Sequence, residues 1–274
     1  MSLISVVSSS LNVEDGEESK VYLLLFQSFF LGVFFATYEI SAFTLFQSKF
    51  GQEELYNSFV VSGIVGVILS LIYSKLQAKL SFSTLANINL TFIFLLMLSL
   101  WLMHSYMANT AVVFIAFIMM GPLNAIGQLG FWGMAGRLFN LRQGKRLFGL
   151  VDSGQTFGMI VISFSVPFIL LLFSNIGDLM LISSLSALGA LVFQIITANK
   201  FKLELAQQDL EVASKESKTG ISILEIFKDR YLSKLAVFVI FSMLGAFLIY
   251  SSFFDVSKMN YPLENDRAIF FSVF

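Results

Sequence analysis

Two carboxylates stand inside long apolar runs of this chain. Glu39 lies in ATYEISAFTL and Asp152 in LFGLVDSGQTFG. An ionisable group within a membrane span is costly and counts as a functional candidate by default. For Asp152 the chemistry is that of a gate or a coupling-ion site. It would pair with Arg137 or Arg146 when the inner side closes and release them when it opens. Lys145 belongs to the same group of cations. Gln155 and Thr156 follow Asp152 at i+3 and i+4, on its own helical face. A permanent ion pair that pins the neighbouring turn is the alternative. For Glu39 the chemistry is that of a proton or cation site facing an outer vestibule, with the hydroxyls of Tyr38 and Ser41 beside it. A carboxylate reaching out to the interface is the alternative. Asn124 and Gln128, spaced i,i+4, are neutral amides suited to hydrogen-bonding a solute or an adjacent helix.

These residues need long helices to hold them. Glu39 lies 18 residues beyond Val21, about 27 Å along a helix, and Asp152 lies six residues beyond Arg146, about 9 Å along another. On straight helices the two carboxylates are not neighbours; they would serve opposite ends of one pathway.

The composition supplies such helices. Hydrophobic residues make up 57% of the 274, and charged residues 13%, against about 25% in soluble domains. Seven runs are long and apolar enough to span a bilayer: 21–47, 57–78, 84–106, 111–140, 147–173, 179–199 and 235–255. They are continuously apolar and too long for barrel strands, so they read as helices. An eighth run begins near Asp266, and the chain is expected to be the front part of a longer protein. The fold class expected is an all-α polytopic membrane protein. Its parts are a tail (1–20), a six-helix bundle (21–199), a polar linker (200–234) and the start of a second bundle (235–274).

Several function classes drop out. There is no cysteine and only one histidine, His104. Disulfides, thiolate or histidine metal sites and a cysteine nucleophile are excluded. No His-Glu-x-x-His or Gly-x-Ser-x-Gly pattern is present, so no enzyme and no cofactor are expected. No basic face suggests nucleic acid. The first 20 residues lack the features of a signal peptide.

Charge gives the orientation. With the N-terminus inside, fourteen Lys and Arg fall in inner segments and three (Lys49, Lys258 and Arg267) in outer ones. The positive-inside rule then predicts a cytoplasmic N-terminus. Arg137, Arg142, Lys145 and Arg146 would form the inner turn between the fourth and fifth spans, in contact with anionic lipid. Within the linker, 221–234 patterns as a helix lying along the membrane surface. In the fourth span, Gly127, Gly130, Gly133 and Gly136 predict tight packing, and Pro122 predicts a kink.

Six spans, a long cytoplasmic linker and further spans resemble the two-bundle plan of major facilitator transporters. The stretch FWGMAGRLFNLRQGKRLFGLVDSGQTFG (131–158) is similar to a region of the nucleotide (ATP/ADP) translocase family and its bacterial relatives. The matching residues are Phe131, Trp132, Ala135, Lys145, Arg146, Phe148, Gly149 and Gly154. GEESKVYLLLFQSFFLG (16–32) and FKDRYLSKLAVF (227–238) resemble that family's entries into its first and seventh spans. The resemblance implies a major-facilitator fold in a bacterial inner membrane. It also implies exchange of a small anionic or nucleotide-like metabolite by alternating access. One departure bears on the substrate. The family's exchangers carry a lysine in span one, whereas here residues 21–47 hold no Lys or Arg and a single charge, Glu39. Some relatives carry soluble domains after the helices. The competing reading is therefore a non-transporting membrane domain that anchors or regulates a signalling partner.

Overall fold

The structure is a computed structural model describing residues 13–14, 16–107, 109–173, 175–216 and 229–273. Among these residues every regular element is a helix: α1 (Glu18–Lys49), α2 (Gln52–Gln77), α3 (Phe82–Met107), α4 (Thr110–Leu138), α5 (Leu141–Leu172), α6 (Asp178–Lys200), α7 (Lys202–Glu216), α8 (Arg230–Asn260) and α9 (Glu264–Val273). Seven of them (α1 to α6 and α8) are long and apolar enough to cross a membrane. Their outward faces carry residues such as Val60, Ile64, Val67 and Leu71 of α2, surfaces that lipid would cover.

Helix α1 is the hub. It packs against α4, α5, α6 and α9. The reason is written in its polar residues. Gln27, Ser28, Thr37, Ser41, Thr44 and Gln47 are all fully buried, so the polar side of this span faces protein rather than lipid. Three of its side chains bond to three different neighbours. Gln27 Nε2 donates to Gln194 Oε1 of α6 at 2.7 Å. Ser28 Oγ donates to the carbonyl of Val151 in α5 at 2.7 Å. Tyr38 Oη donates to the carbonyl of Ala116 in α4 at 2.6 Å. Each such bond contributes about 0.6 kcal/mol in a membrane interior, and together they fix the register of the hub against its ring.

Helices α1 and α5 approach closely, and glycine makes it possible. A Cβ at Gly32 would lie 2.0 Å from the carbonyl oxygen of Gln155. One at Gly154 would lie 2.2 Å from Ser28 Oγ, and one at Gly158 would lie 2.3 Å from the carbonyl oxygen of Phe29. Backbones meet there without side chains between them. The three-residue glycine repeat of α4 has a different use. Gly127 and Gly133 receive aromatic rings, from Phe35 and Phe82, while the space around Gly136 is empty.

Helix α4 runs unbroken through Pro122. Proline has no N–H, so the carbonyl four residues earlier loses its helical donor. That carbonyl belongs to Ile118, and Ser62 Oγ of α2 donates to it at 2.7 Å.

Helix α8 joins the rest along one half only. Its buried residues are Ser251, Phe254 and Ser257, while Phe238, Phe241 and Met243 in its first half are each more than two-thirds exposed. The attachments are polar as well as aromatic. Gln47 Nε2 donates to the carbonyl of Phe254 and to Ser257 Oγ, both at 2.8 Å. Phe247 packs edge-on to Phe59 of α2 with centroids 5.1 Å apart.

The charged first part of the linker forms α7, whereas the amphipathic stretch expected over 221–234 lies mostly outside the described residues.

Candidate functional site

The basic cluster is not a turn. Only Phe139 and Asn140 separate α4 from α5. Asn140 caps α5 by accepting from the backbone N–H groups of Arg142 and Gln143, and the Gln143 side chain accepts from the N–H of Asn140. This capping box starts the helix six residues earlier than the apolar run suggests. Arg142, Lys145 and Arg146 therefore sit on helix.

Two of the three arginines of the cluster have an acid partner. Arg137 is held by Asp209 of α7, Nε to Oδ1 at 2.8 Å. Its guanidinium stacks 3.8 Å above the ring of Phe82, and its Nη1 donates to the carbonyl of Gly133 at 3.2 Å. Arg146 Nη2 donates to both carboxylate oxygens of Glu17, at 2.7 and 2.6 Å, and Nη1 donates to Glu14. Gln143 also donates to Glu17, at 2.8 Å. Lys20 pairs with Glu204. The segment before α1 and the linker helix α7 thus strap one end of the bundle. Neither arginine pairs with Asp152 in this structure; Asp152 lies six residues, about 9 Å, beyond Arg146 along α5. Lys145 and Arg142 are exposed.

Asp152 instead lines a groove of about 850 Å³ between α1 and α5, with Phe26, Phe29, Phe30 and Phe157 around it. Its carboxylate has no hydrogen bond or ion pair among the described residues. Thr156 lines the same groove. Gln155 turns the other way, and its Oε1 accepts from Gln128 Nε2 at 3.1 Å.

That bond ties α4 to α5 and occupies one amide of the Asn124/Gln128 pair. Gln128 Oε1 and Asn124 Oδ1 are left buried with no partner among the described residues. A buried acceptor without a donor is unfavourable, and neither residue lines the Asp152 groove or the Glu39 cavity.

Glu39 lines a cavity of about 640 Å³ bounded by α1, α5, α8 and α9. Its partner is neither neighbour in sequence. Tyr38 is committed to Ala116, and Ser41 Oγ donates to the carbonyl of Tyr38 at 3.0 Å. The donor is Tyr250 of α8, whose Oη reaches Glu39 Oε1 at 3.1 Å. No local spacing points to Tyr250, because 211 positions separate the two residues. Ile160 lines both the Glu39 cavity and the Asp152 groove, so the two carboxylates lie along one continuous α1–α5 seam.

Arg267, one of the three charges assigned to outer segments, is buried. It lies on α9, which folds back on α1 and α5, and its Nη1 donates to the carbonyls of Tyr261 and Pro262 at 3.3 Å each. Its Nε has no partner among the described residues.

Comparison with protein-family models, with curated proteins and with solved structures finds no match to this chain.

Proposed function

We propose that the protein is a secondary active transporter that exchanges a small metabolite across a membrane by alternating access. The observation that carries this reading is the Glu39 cavity. Four helices enclose it, two from the body of the bundle and two from the segment after the linker. It is apolar apart from a carboxylate–phenol pair and two serines, Ser163 and Ser272. Small-molecule sites have this character, a mostly apolar wall with few polar groups.

The attachment of α8 supports the same reading. It is fastened to α1 beside Glu39 and Gln47 and free along its first half. A helix closed at one end and open at the other is what alternating access uses. The two-bundle plan and the nucleotide translocase resemblance place nucleotides and other anionic metabolites first among substrates to test. The lining of the Glu39 cavity has no Lys, Arg or His, so neutral and cationic solutes belong in the same panel. We read the N-terminus as cytoplasmic, with Asn124, Gln128 and Glu39 meeting the solute. Asp152, Arg137, Arg146 and Lys145 lie towards the inner end, where gating or ion coupling would act.

Purified protein in liposomes, loaded with one solute and offered a labelled second, tests the proposal. Counterflow above empty liposomes is expected for at least one class. Absence of flux across the panel overturns it in favour of a membrane domain that anchors or regulates a partner.

A further inference from the structure

We propose that the groove at Asp152 is a binding site for a lipophilic organic cation. Its volume of about 850 Å³ is that of a small-molecule site. Phe26, Phe29 and Phe30 stand on the α1 side and Phe157 on the α5 side. Asp152 is the only ionisable residue in the lining.

The two arginines that would neutralise Asp152 are held elsewhere. Arg137 is paired with Asp209, and Arg146 with Glu14 and Glu17. Lys145 lies seven residues earlier on the same helical face, exposed and outside the lining. A carboxylate facing an apolar groove without a partner is costly. A cation that brings its own apolar bulk relieves that cost twice. It pairs with the carboxylate, and it places positive charge against the electron-rich faces of the phenyl rings.

Other ligand classes fit worse. Calcium and magnesium take six or more oxygen ligands, and zinc prefers histidine and cysteine, which the lining lacks. The lining offers one carboxylate and the hydroxyls of Ser153 and Thr156, too few oxygens for such an ion. An anion meets the Asp152 charge with no compensating cation in the lining. What remains is a monovalent ion of the quaternary ammonium or phosphonium type.

The groove is preformed. Gly154 and Gly158 seat α5 directly on the backbone of α1, so the spacing of its two walls is set by main chain. Binding needs no transport, and the proposal therefore stands or falls apart from the transporter reading.

The test uses the full purified chain in detergent, with labelled tetraphenylphosphonium as probe and tetraphenylborate as the anion of the same shape. Saturable phosphonium binding is expected, weakened by at least about tenfold in Asp152→Asn, because one partner of a desolvated charge pair is removed. Phe157→Ala is expected to weaken it about threefold. Thr156→Lys places a cation in the groove beside Asp152 and is expected to abolish binding. Unchanged affinity in Asp152→Asn, or in Thr156→Lys should the first variant fail to fold, overturns the proposal. So does saturable binding of labelled tetraphenylborate, measured separately, with matching affinity.

Discussion

Ser62 and Ile118 are joined by a hydrogen bond that exists because of a third residue. The Ser62 hydroxyl of α2 donates at 2.7 Å to the carbonyl of Ile118 in α4, the acceptor that Pro122 leaves without a donor. Ser62→Ala is expected to lower stability by about 1 kcal/mol. In a Pro122→Ala background the backbone N–H returns to Ile118, and the same substitution is expected to cost little. A double-mutant cycle on thermal unfolding in detergent reads the coupling. Equal costs in both backgrounds would mean that Ser62 does not serve this carbonyl.

The α1–α5 crossing depends on the absence of a Cβ. Gly32→Ala puts a methyl 2.0 Å from the Gln155 carbonyl oxygen and is expected to destabilise by about 1–3 kcal/mol, because backbone cannot move aside as a side chain can. Gly149→Ala, with nothing within 4 Å, is expected to be neutral or slightly stabilising. Tolerance of alanine at position 32 would show that the helices cross elsewhere.

Arg146 is assigned to Glu17, not to Asp152. Glu17→Gln is expected to cost about 1 kcal/mol, since it weakens a largely buried pair. Asp152→Asn removes a charge that has no partner among the described residues and is expected to leave unfolding unchanged or to raise its midpoint slightly. If the two variants unfold alike, Asp152 is also part of the strap.

Glu39→Gln keeps an acceptor for Tyr250 and removes the charge. In the liposome assay it is expected to lower flux by at least about tenfold while leaving thermal stability intact. Normal exchange by this variant would remove Glu39 from the mechanism and leave its bond to Tyr250 as a fastening of α8.

A chain without cysteine suits single-cysteine labelling. Asn57, Asn109 and Arg142 are exposed at helix ends. An impermeant thiol reagent added to intact cells is expected to reach cysteines at positions 57 and 109 but not at 142. The reverse pattern would invert the membrane orientation.

The spans were legible because length and apolar continuity are properties of single segments. Their ends were less so. The start of α5 reads as a loop from its charges, but Asn140 and Gln143 are capping residues, and Arg142, Lys145 and Arg146 all tolerate helix. The polar residues of α1 at near-helical spacing (Thr37, Ser41, Thr44) carry a signal that this face of the span packs against protein. In α4 the glycine repeat drew attention away from Gly32, Gly154 and Gly158, where the backbones actually meet. Glu39 and Asp152 could be picked out as charges inside apolar runs. Tyr250, Glu17 and Asp209 could not be matched to their partners, because those pairings are created by the packing of distant segments.

Phe82 and Gly133 share one volume. A Cβ at position 133 would fall 2.1 Å from the tip of the Phe82 ring, and that ring is the platform on which Arg137 lies before it meets Asp209. Four positions in three segments are thereby bound into one evolutionary unit. In any related chain that keeps this packing, a side chain at 133 must coincide with a smaller residue at 82. Loss of the aromatic at 82 should in turn relax the demand for arginine at 137 and for acid at 209. Covariation among these columns would carry the imprint of a single ring.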